Sequence, residues 1–192
     1  MRRLGVFGGT FNPVHNGHLV LAQEALRRGR LEHMLLLPNA QPSHKQRSAE
    51  LMTATARLHL LRLAFSGLAD FRVDEREVTR GGVSYSVDTL RELKAANPDT
   101  ELVFLLGSDS MEELHRWRAP EELVQLAAFL VHPRSGHAGP YPILEFHPDA
   151  RVEFLDGPLI DISSTLVRER LKAGLPLRGY VPDAVEAALR AL

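Results

Sequence analysis

The 192-residue sequence contains no cysteine. Disulfide bonds, thiolate catalysis and cysteine-ligated metal sites are therefore excluded. Long apolar runs are also missing, since none approaches the ~20 residues that a membrane-spanning helix needs. The start, MRRLGVFGG, lacks the long apolar core of a secretory signal. We therefore expect a cytoplasmic protein that makes no contact with a membrane.

The sequence has no large excess of charge of either sign. Its 23 lysines and arginines nearly balance 24 aspartates and glutamates, which leaves a formal net charge of -1. Without a global basic field, nucleic acid is not an expected partner. The composition, 44% hydrophobic and 24% charged, is ordinary for a globular protein, and the length predicts one domain over residues 1–192.

Short apolar runs alternate with helical patterns along the chain. The runs predict strands at residues 4–7, 34–37, 71–73, 102–106, 128–131 and 152–155. The patterns predict helices at 17–28, 53–65, 87–96, 164–173 and 183–191, with a helical region up to about 127 that is interrupted near Pro120, and a loop over 132–150. This alternation favours an α/β fold, a Rossmann-like, doubly wound, mostly parallel sheet with helices on both faces. A C-terminal helical portion begins at about residue 163.

In sheets of this kind, ligands bind beyond the carboxyl ends of the strands, where the strand order reverses. Three loops follow predicted strands and are therefore expected to converge on one site. They are residues 8–18, 107–110 and 132–136.

The first of these loops lies in GGTFNPVHNGHL, residues 8–19. The GxGxxG and GxxxxGK[ST] nucleotide signatures are both missing from the chain. A phosphate can still bind here, because Gly8 and Gly9 allow a close approach to the backbone and Thr10 offers a hydroxyl. The helix that follows directs its free N–H groups and positive dipole end toward an anion.

The same segment carries two imidazoles, His15 and His18, on either side of Gly17. Residues three apart share a face of a helix, so both rings can donate to phosphate oxygens. Two alternatives remain open for this pair. The histidines can be ordinary polar residues that cap a helix, or a metal-binding pair, for which no third ligand stands at an obvious spacing.

A second segment, ISSTLVR, covers residues 162–168. Ser163 is a suitable N-cap for the helix that follows. Ser164 and Arg168 are four residues apart and share a face, and a hydroxyl beside a forked guanidinium suits a polyphosphate. The alternative is a capped helix with a surface arginine.

HNGH and ISSTLVR match the (H/T)xGH and ISSTxxR signatures of the nucleotidyltransferase superfamily. Together with SYSVDTL and GSDSMEELHRW, they make the chain resemble the bacterial nicotinate-nucleotide adenylyltransferases over nearly its whole length. The resemblance implies an enzyme of NAD biosynthesis that joins ATP to nicotinate mononucleotide. The products would be nicotinate adenine dinucleotide (deamido-NAD) and pyrophosphate.

The resemblance also implies roles for individual residues. His15, His18 and Arg168 would be the catalytic residues, and Mg²⁺ would be carried by the ATP phosphates rather than by a protein site. The ATP site would comprise Gly8, Gly9, Thr10, Phe11, Gly107, Asp109, Ile162, Ser163 and Ser164. Within it, Ser164 and Arg168 would hold pyrophosphate, and Gly107 and Asp109 would meet the ribose.

The second substrate has its own candidate residues. Ser84, Tyr85 and Ser86 precede a predicted helix, whose free N–H groups could receive a carboxylate and so favour nicotinate over nicotinamide. Trp117, the only tryptophan, could stack on the pyridine ring, although a packing role is its alternative. Asn39 ends the second predicted strand and could orient the same substrate.

A polar loop contributes His44 and Lys45, which could reach the mononucleotide phosphate or could simply be solvated. Arg134 completes the candidate set, although it stands in HPRSG where the family usually has Arg-Pro-Gly. Asn12 and Ser108 likewise replace a frequent aspartate and a frequent alanine. By contrast, we expect the carboxylates Glu24, Glu75 and Glu77 to be solvated.

Two other functions stay open at this point. One is a related adenylyltransferase that uses nicotinamide mononucleotide or phosphopantetheine as the acceptor. The other is a non-catalytic adenine-nucleotide sensor on the same scaffold. Either function is compatible with a homo-oligomer.

Overall fold

The computed structural model describes residues 2–42 and 50–191. The strands in these ranges are β1 Arg2–Gly9, β2 His33–Pro38, β3 Gln41–Pro42, β4 Phe71–Val73, β5 Val83–Ser84, β6 Thr100–Gly107, β7 Ala127–His132 and β8 Val152–Phe154. The helices are α1 Asn16–Arg28, α2 Ala54–Ala64, α3 Arg76–Arg80, α4 Ser86–Ala96, α5 Ser108–Glu113, α6 Pro120–Leu126, α7 Pro142–Phe146, α8 Ser164–Lys172 and α9 Asp183–Arg190. A 3₁₀ turn, Leu114–Arg116, follows α5.

The main sheet has the strand order β4-β2-β1-β6-β7-β8, and every neighbouring pair is parallel. The order reverses between β1 and β6, where the chain leaves one half of the sheet for the other. Registers such as Gly9 opposite Pro38 and Gly107 opposite His132 align the carboxyl ends of these central strands. The predicted doubly wound, parallel α/β fold is confirmed.

Apolar side chains alternate between the two faces of the sheet and form two cores. Along β1, Val6 packs with Leu90 of α4 and Leu123 of α6, whereas Phe7 packs with the core that contains α1, α2 and α9. Successive residues of a strand point to opposite faces, so one strand can serve both cores. Helices therefore cover both faces, as predicted.

Four short elements were not predicted. The helices α3 and α7 each have five residues, too few for a helical period to stand out, and α7 lies inside the predicted loop 132–150. The two-residue strands β3 and β5 pair with each other outside the main sheet. No helix in the described ranges is both long and apolar enough to span a membrane.

Candidate active site

One cleft of about 750 Å³ opens beyond the carboxyl ends of the central strands. It lies at the reversal of strand order, and the three predicted loops converge there. All predicted site residues within the described ranges line this cleft. His44 and Lys45 lie outside the described residues. The cleft therefore unites the two signature segments with the SYSVDTL segment and Trp117.

The two histidines of the first segment form a stacked pair at the start of α1. Their ring centroids are 3.7 Å apart, with an angle of 31° between the planes. The backbone N–H of His15 donates to Nδ1 of His18 at 3.2 Å. Because Nδ1 accepts, the neutral ring carries its hydrogen on Nε2, which is then the available donor.

Burial keeps both rings uncharged. His15 is only 6% exposed, and desolvation, together with the positive charge of Arg134, lowers its pKa to about 4. The pKa of His18 is also well below its usual value, because the ring is desolvated and lies near His15 and Arg134. Both imidazoles are therefore neutral donors at pH 7 in the free protein.

His15 does occupy the N-cap position of α1, as the capping alternative requires. It forms a capping box with His18, whose Nδ1 accepts from the backbone N–H of His15. The buried Nδ1 of His15 nevertheless has no hydrogen-bond partner among the described residues. A buried polar atom without a partner is costly, so a ligand is the natural partner for this nitrogen. Capping alone does not account for this histidine.

Gly17 is required by the position of the His15 ring. A Cβ atom at residue 17 would lie 3.0 Å from Nδ1 of His15 and 3.5 Å from the carbonyl oxygen of Ile162. A side chain would therefore crowd the His15 ring, whereas the Ile162 oxygen lies at an ordinary contact distance. The glycine of the HNGH motif thus leaves room for the ring.

Two hydrogen bonds join the first segment to the second. The hydroxyl of Ser164 donates to the carbonyl oxygen of Pro13 at 2.9 Å. Nη1 of Arg168 donates to the carbonyl oxygen of Asn12 at 2.8 Å. Ser163 is the N-cap of α8, as predicted, and accepts from the N–H of Leu166. The starts of α1 and α8 therefore face the same cleft.

Arg168 also has an acidic neighbour that sequence reasoning missed. Its Nε and Nη2 atoms lie 3.3 and 3.2 Å from Oε2 of Glu50, which also pairs with Lys172. These cations lower the pKa of the Glu50 carboxyl. The side chain of Asn12 fixes the same segment, because its amide donates to the Glu50 carbonyl and accepts from the N–H of Met52. Asn12 thus has a structural role in place of the frequent aspartate.

On the other side of the cleft, Nε of Arg134 lies 3.2 Å from Oδ1 of Asp109. A Cβ atom on Gly107 would lie 2.3 Å from that oxygen and 2.6 Å from that nitrogen, so only glycine allows this arrangement. The hydroxyl of Ser108 accepts from the backbone N–H of Arg134 at 2.9 Å. Ser108 therefore ties the HPRSG loop to the end of β6.

The N-terminus of α4 forms a third wall of the cleft. Tyr85 is its N-cap and Ser86 its first residue, so the first N–H groups of the helix have no intrahelical partner. The guanidinium of Arg118 lies over the Tyr85 ring, 4.6 Å from the centroid. Trp117 packs edge-to-face on Phe104 at 6.3 Å and lines the cleft, so the packing role is present at the cleft wall.

Comparisons with known proteins identify the family of this chain. Residues 6–170 match the profile of the family described as cytidylyltransferase-like. A probable nicotinate-nucleotide adenylyltransferase of Shouchella clausii is 42% identical over 186 residues, which cover 97% of this chain and 93% of that protein. The chain belongs to the cytidylyltransferase-like family. A similarly named protein of Citrifermentans bemidjiense is 40% identical, covering 96% of this chain and 94% of its own.

Solved structures show the same fold. A nicotinic acid mononucleotide adenylyltransferase of Plasmodium falciparum, complexed with NaAD, has a TM-score of 0.83. It is 17% identical in sequence, and the match covers 100% of this chain and 96% of that one. Like its adenylyltransferase relatives, this cytidylyltransferase-like chain is a nucleotidyltransferase enzyme.

The structure of this family member corrects the expectation for Glu77. Its side chain is only 7% exposed, not solvated, and lines the cleft. It accepts a hydrogen bond from the hydroxyl of Thr89 at 2.6 Å and interacts with the hydroxyl of Ser84. Desolvation nevertheless raises its pKa. Glu77 therefore supports the segment that leads into α4, and a five-residue helix left no pattern from which its burial could be predicted.

Metal binding by the protein itself has no support in residues 2–42 and 50–191. No group of three or more histidine, aspartate or glutamate side chains in these ranges could hold an ion. The histidine pair accordingly lacks a third ligand there.

Proposed function

We propose that the chain transfers the adenylyl group of ATP to nicotinate mononucleotide and forms nicotinate adenine dinucleotide and pyrophosphate. One observation carries this proposal: the bonds from Ser164 and Arg168 to the 12–13 backbone bring the histidine segment and the guanidinium helix together. The relatives named nicotinate-nucleotide adenylyltransferase support the choice of reaction.

The reaction needs no strong base. A phosphate oxygen of the mononucleotide attacks the α-phosphorus of ATP, and a new P–O bond forms. The bond from the α-phosphorus to the oxygen that bridges to the β-phosphate breaks, and pyrophosphate leaves with that electron pair. A phosphate monoester is already an anion near pH 7, so catalysis is positioning together with stabilisation of developing charge.

The site offers donors for that charge on two sides. His18 would donate to a phosphate oxygen from Nε2. His15 would contact the phosphates through its own ring, whose Nδ1 has no partner among the described residues. Arg168 would exchange Glu50 for the oxygens of the departing pyrophosphate. Thr10 and the Gly8–Gly9 backbone would lie beside the reacting phosphates, and Asp109 would meet the ribose.

Mg²⁺ would enter with ATP rather than bind to a protein cage. Magnesium commonly keeps several waters and takes substrate phosphates as ligands, which fits a cleft without an acidic cluster in its described part. When bound, it would neutralise phosphate charge.

The start of α4 supports a carboxylate-bearing acceptor. Free N–H groups and the helix dipole favour an anion, whereas the amide of nicotinamide would bring its own N–H donor toward them. Trp117 would stack on the pyridine ring, and Asn39 would orient the same substrate. We therefore propose a strong preference for nicotinate mononucleotide.

A pyrophosphate-release assay with ATP and a panel of acceptors tests the proposal. We expect kcat/KM for nicotinate mononucleotide to exceed that for nicotinamide mononucleotide and for phosphopantetheine. Equal values for the two mononucleotides would contradict the carboxylate site at α4. Binding of ATP without release of pyrophosphate from any acceptor would instead indicate a nucleotide sensor.

A further inference from the structure

Arg57, on α2 behind the cleft, is a cation with no exposed surface. Burial lowers its pKa, yet a guanidinium keeps its proton near neutral pH. No carboxylate in the described ranges pairs with it. A buried charge without a counter-ion is costly, so its retention calls for a specific role.

The guanidinium uses all five of its N–H donors on oxygens of the protein. It donates to the carbonyl oxygens of Met52, Thr10, Asn39 and Ala40 at 2.7 to 3.2 Å. The fifth bond, from Nη1 to Oδ1 of Asn39, is 3.2 Å long. Arg57 therefore connects the loop after β1 to the loop after β2, and both Thr10 and Asn39 line the cleft.

These bonds determine the direction of a donor chain. Because Oδ1 of Asn39 accepts from Arg57, the amide nitrogen is the group that faces Thr10, and it donates to Oγ1 at 3.2 Å. The Thr10 oxygen then accepts from the protein, so its hydroxyl hydrogen is free to point into the cleft. In each bond of this series, the donor is the residue nearer to the buried guanidinium: Arg57 donates to Asn39, and Asn39 donates to Thr10.

We propose that Arg57 is a positioning residue that orients the Asn39 amide and, through it, the Thr10 hydroxyl as a donor to a substrate phosphate oxygen. Its charge has no protein counter-ion in the described ranges, and the bound phosphate supplies the anion. The inference rests on the proposed function, since it assigns a phosphate to the Thr10 side of the cleft. Arg57 itself touches no substrate and acts through its two neighbours.

A double-mutant cycle of Arg57→Lys and Thr10→Val, measured on kcat/KM, tests this role. Lysine keeps the charge but lacks the planar fork that holds Asn39, and valine removes the terminal hydroxyl. We expect each single variant to lose about 10²-fold, as for loss of one preorganised donor. The double variant should lose little more than Thr10→Val alone. Losses that multiply would overturn the proposal.

A second cycle covers the case in which Arg57→Lys does not fold. Asn39→Ala removes the amide between Arg57 and Thr10. The double variant Asn39→Ala with Thr10→Val should lose little more kcat/KM than Thr10→Val alone. Multiplying losses there would also overturn the proposal. Arg62→Lys is the matched control, because Arg62 lies on the same helix but pairs with Glu75 at the surface. The control should keep wild-type kcat/KM.

Calorimetric binding of ATP and of nicotinate mononucleotide separates this inference from the proposed reaction. If the wild type binds both without turnover, the reaction is wrong, and the cycles are measured on dissociation constants. If the wild type turns over and folded Arg57→Lys keeps its kcat/KM, the positioning role is wrong and the reaction stands. If the wild type binds neither nucleotide, both are wrong.

Discussion

The rings of His15 and His18 stack with centroids 3.7 Å apart, and the backbone N–H of His15 donates to Nδ1 of His18. This pair places one Nε2–H donor, and one buried nitrogen without a partner in residues 2–42 and 50–191, at the start of the same helix. Two uncharged rings can lie this close, whereas two imidazolium ions would repel each other. The contact therefore depends on the lowered pKa values of both side chains.

His18→Ala is expected to fold normally and to lose roughly 10²- to 10³-fold in kcat, because one preorganised donor to developing charge is removed. Steady-state kinetics at saturating ATP and nicotinate mononucleotide measure the loss. His59→Ala is the control, since His59 is exposed on α2. A folded His18→Ala enzyme with wild-type turnover would exclude the phosphate role.

The free energy of unfolding should fall as the pH drops from about 6.5 to about 4. His15 has a pKa of about 4 when folded against an ordinary value of 6.5, so the unfolded chain binds more protons in this window. The shift corresponds to roughly 3 kcal/mol at about 1.4 kcal/mol per pH unit. Urea unfolding of the wild type and His15→Asn checks this. The variant should lose less stability, and parallel pH curves would contradict the buried neutral ring.

Glu77→Gln should gain stability relative to the wild type as the pH rises. The pKa of Glu77 is raised in the folded protein, so its contribution is greatest at low pH and is lost once the buried carboxyl ionises. Glutamine can still accept from Thr89 and stays neutral. Urea unfolding from pH 4.5 to 8 measures the difference. Glu75→Gln, exposed at the start of the same helix, should show no such trend; an equal trend would rule out burial as the cause.

Glu50→Gln is expected to lower the KM for ATP about two- to fivefold. The carboxylate lies against two nitrogens of Arg168, and an exposed ion pair of this kind is weak, so its effect on binding is small. Its removal leaves the guanidinium available for phosphate oxygens. Initial-rate kinetics with varied ATP provide the measurement, and Glu32→Gln, paired with Arg2 elsewhere, is the control. An unchanged or higher KM would mean that Glu50 does not compete with the nucleotide.

The fold was predictable because it follows from local patterns, whereas the meeting of the two signature segments was implied by the family resemblance. Apolar runs of four to five residues marked most strands of the main sheet, and the carboxyl ends of parallel strands share an edge. Ser163 was recognisable as an N-cap from residue type and position alone. The bond between Arg168 and Asn12 spans 156 positions, and the family resemblance, not the topology, implied that these two segments serve one site.

The amino-acid pattern alone predicted a parallel α/β sheet and a pair of segments suited to phosphate. It could not show that Glu77 is buried, that Arg57 is fully enclosed or that Glu50 faces Arg168. These properties depend on chain segments far apart in sequence, such as the contact of Arg57 with Thr10 across 47 positions. Desolvation and the charge of Arg134 lower the pKa values of the histidines. Tertiary packing therefore decided that both histidines are neutral at pH 7, because burial excludes the water that would otherwise stabilise the charged imidazolium.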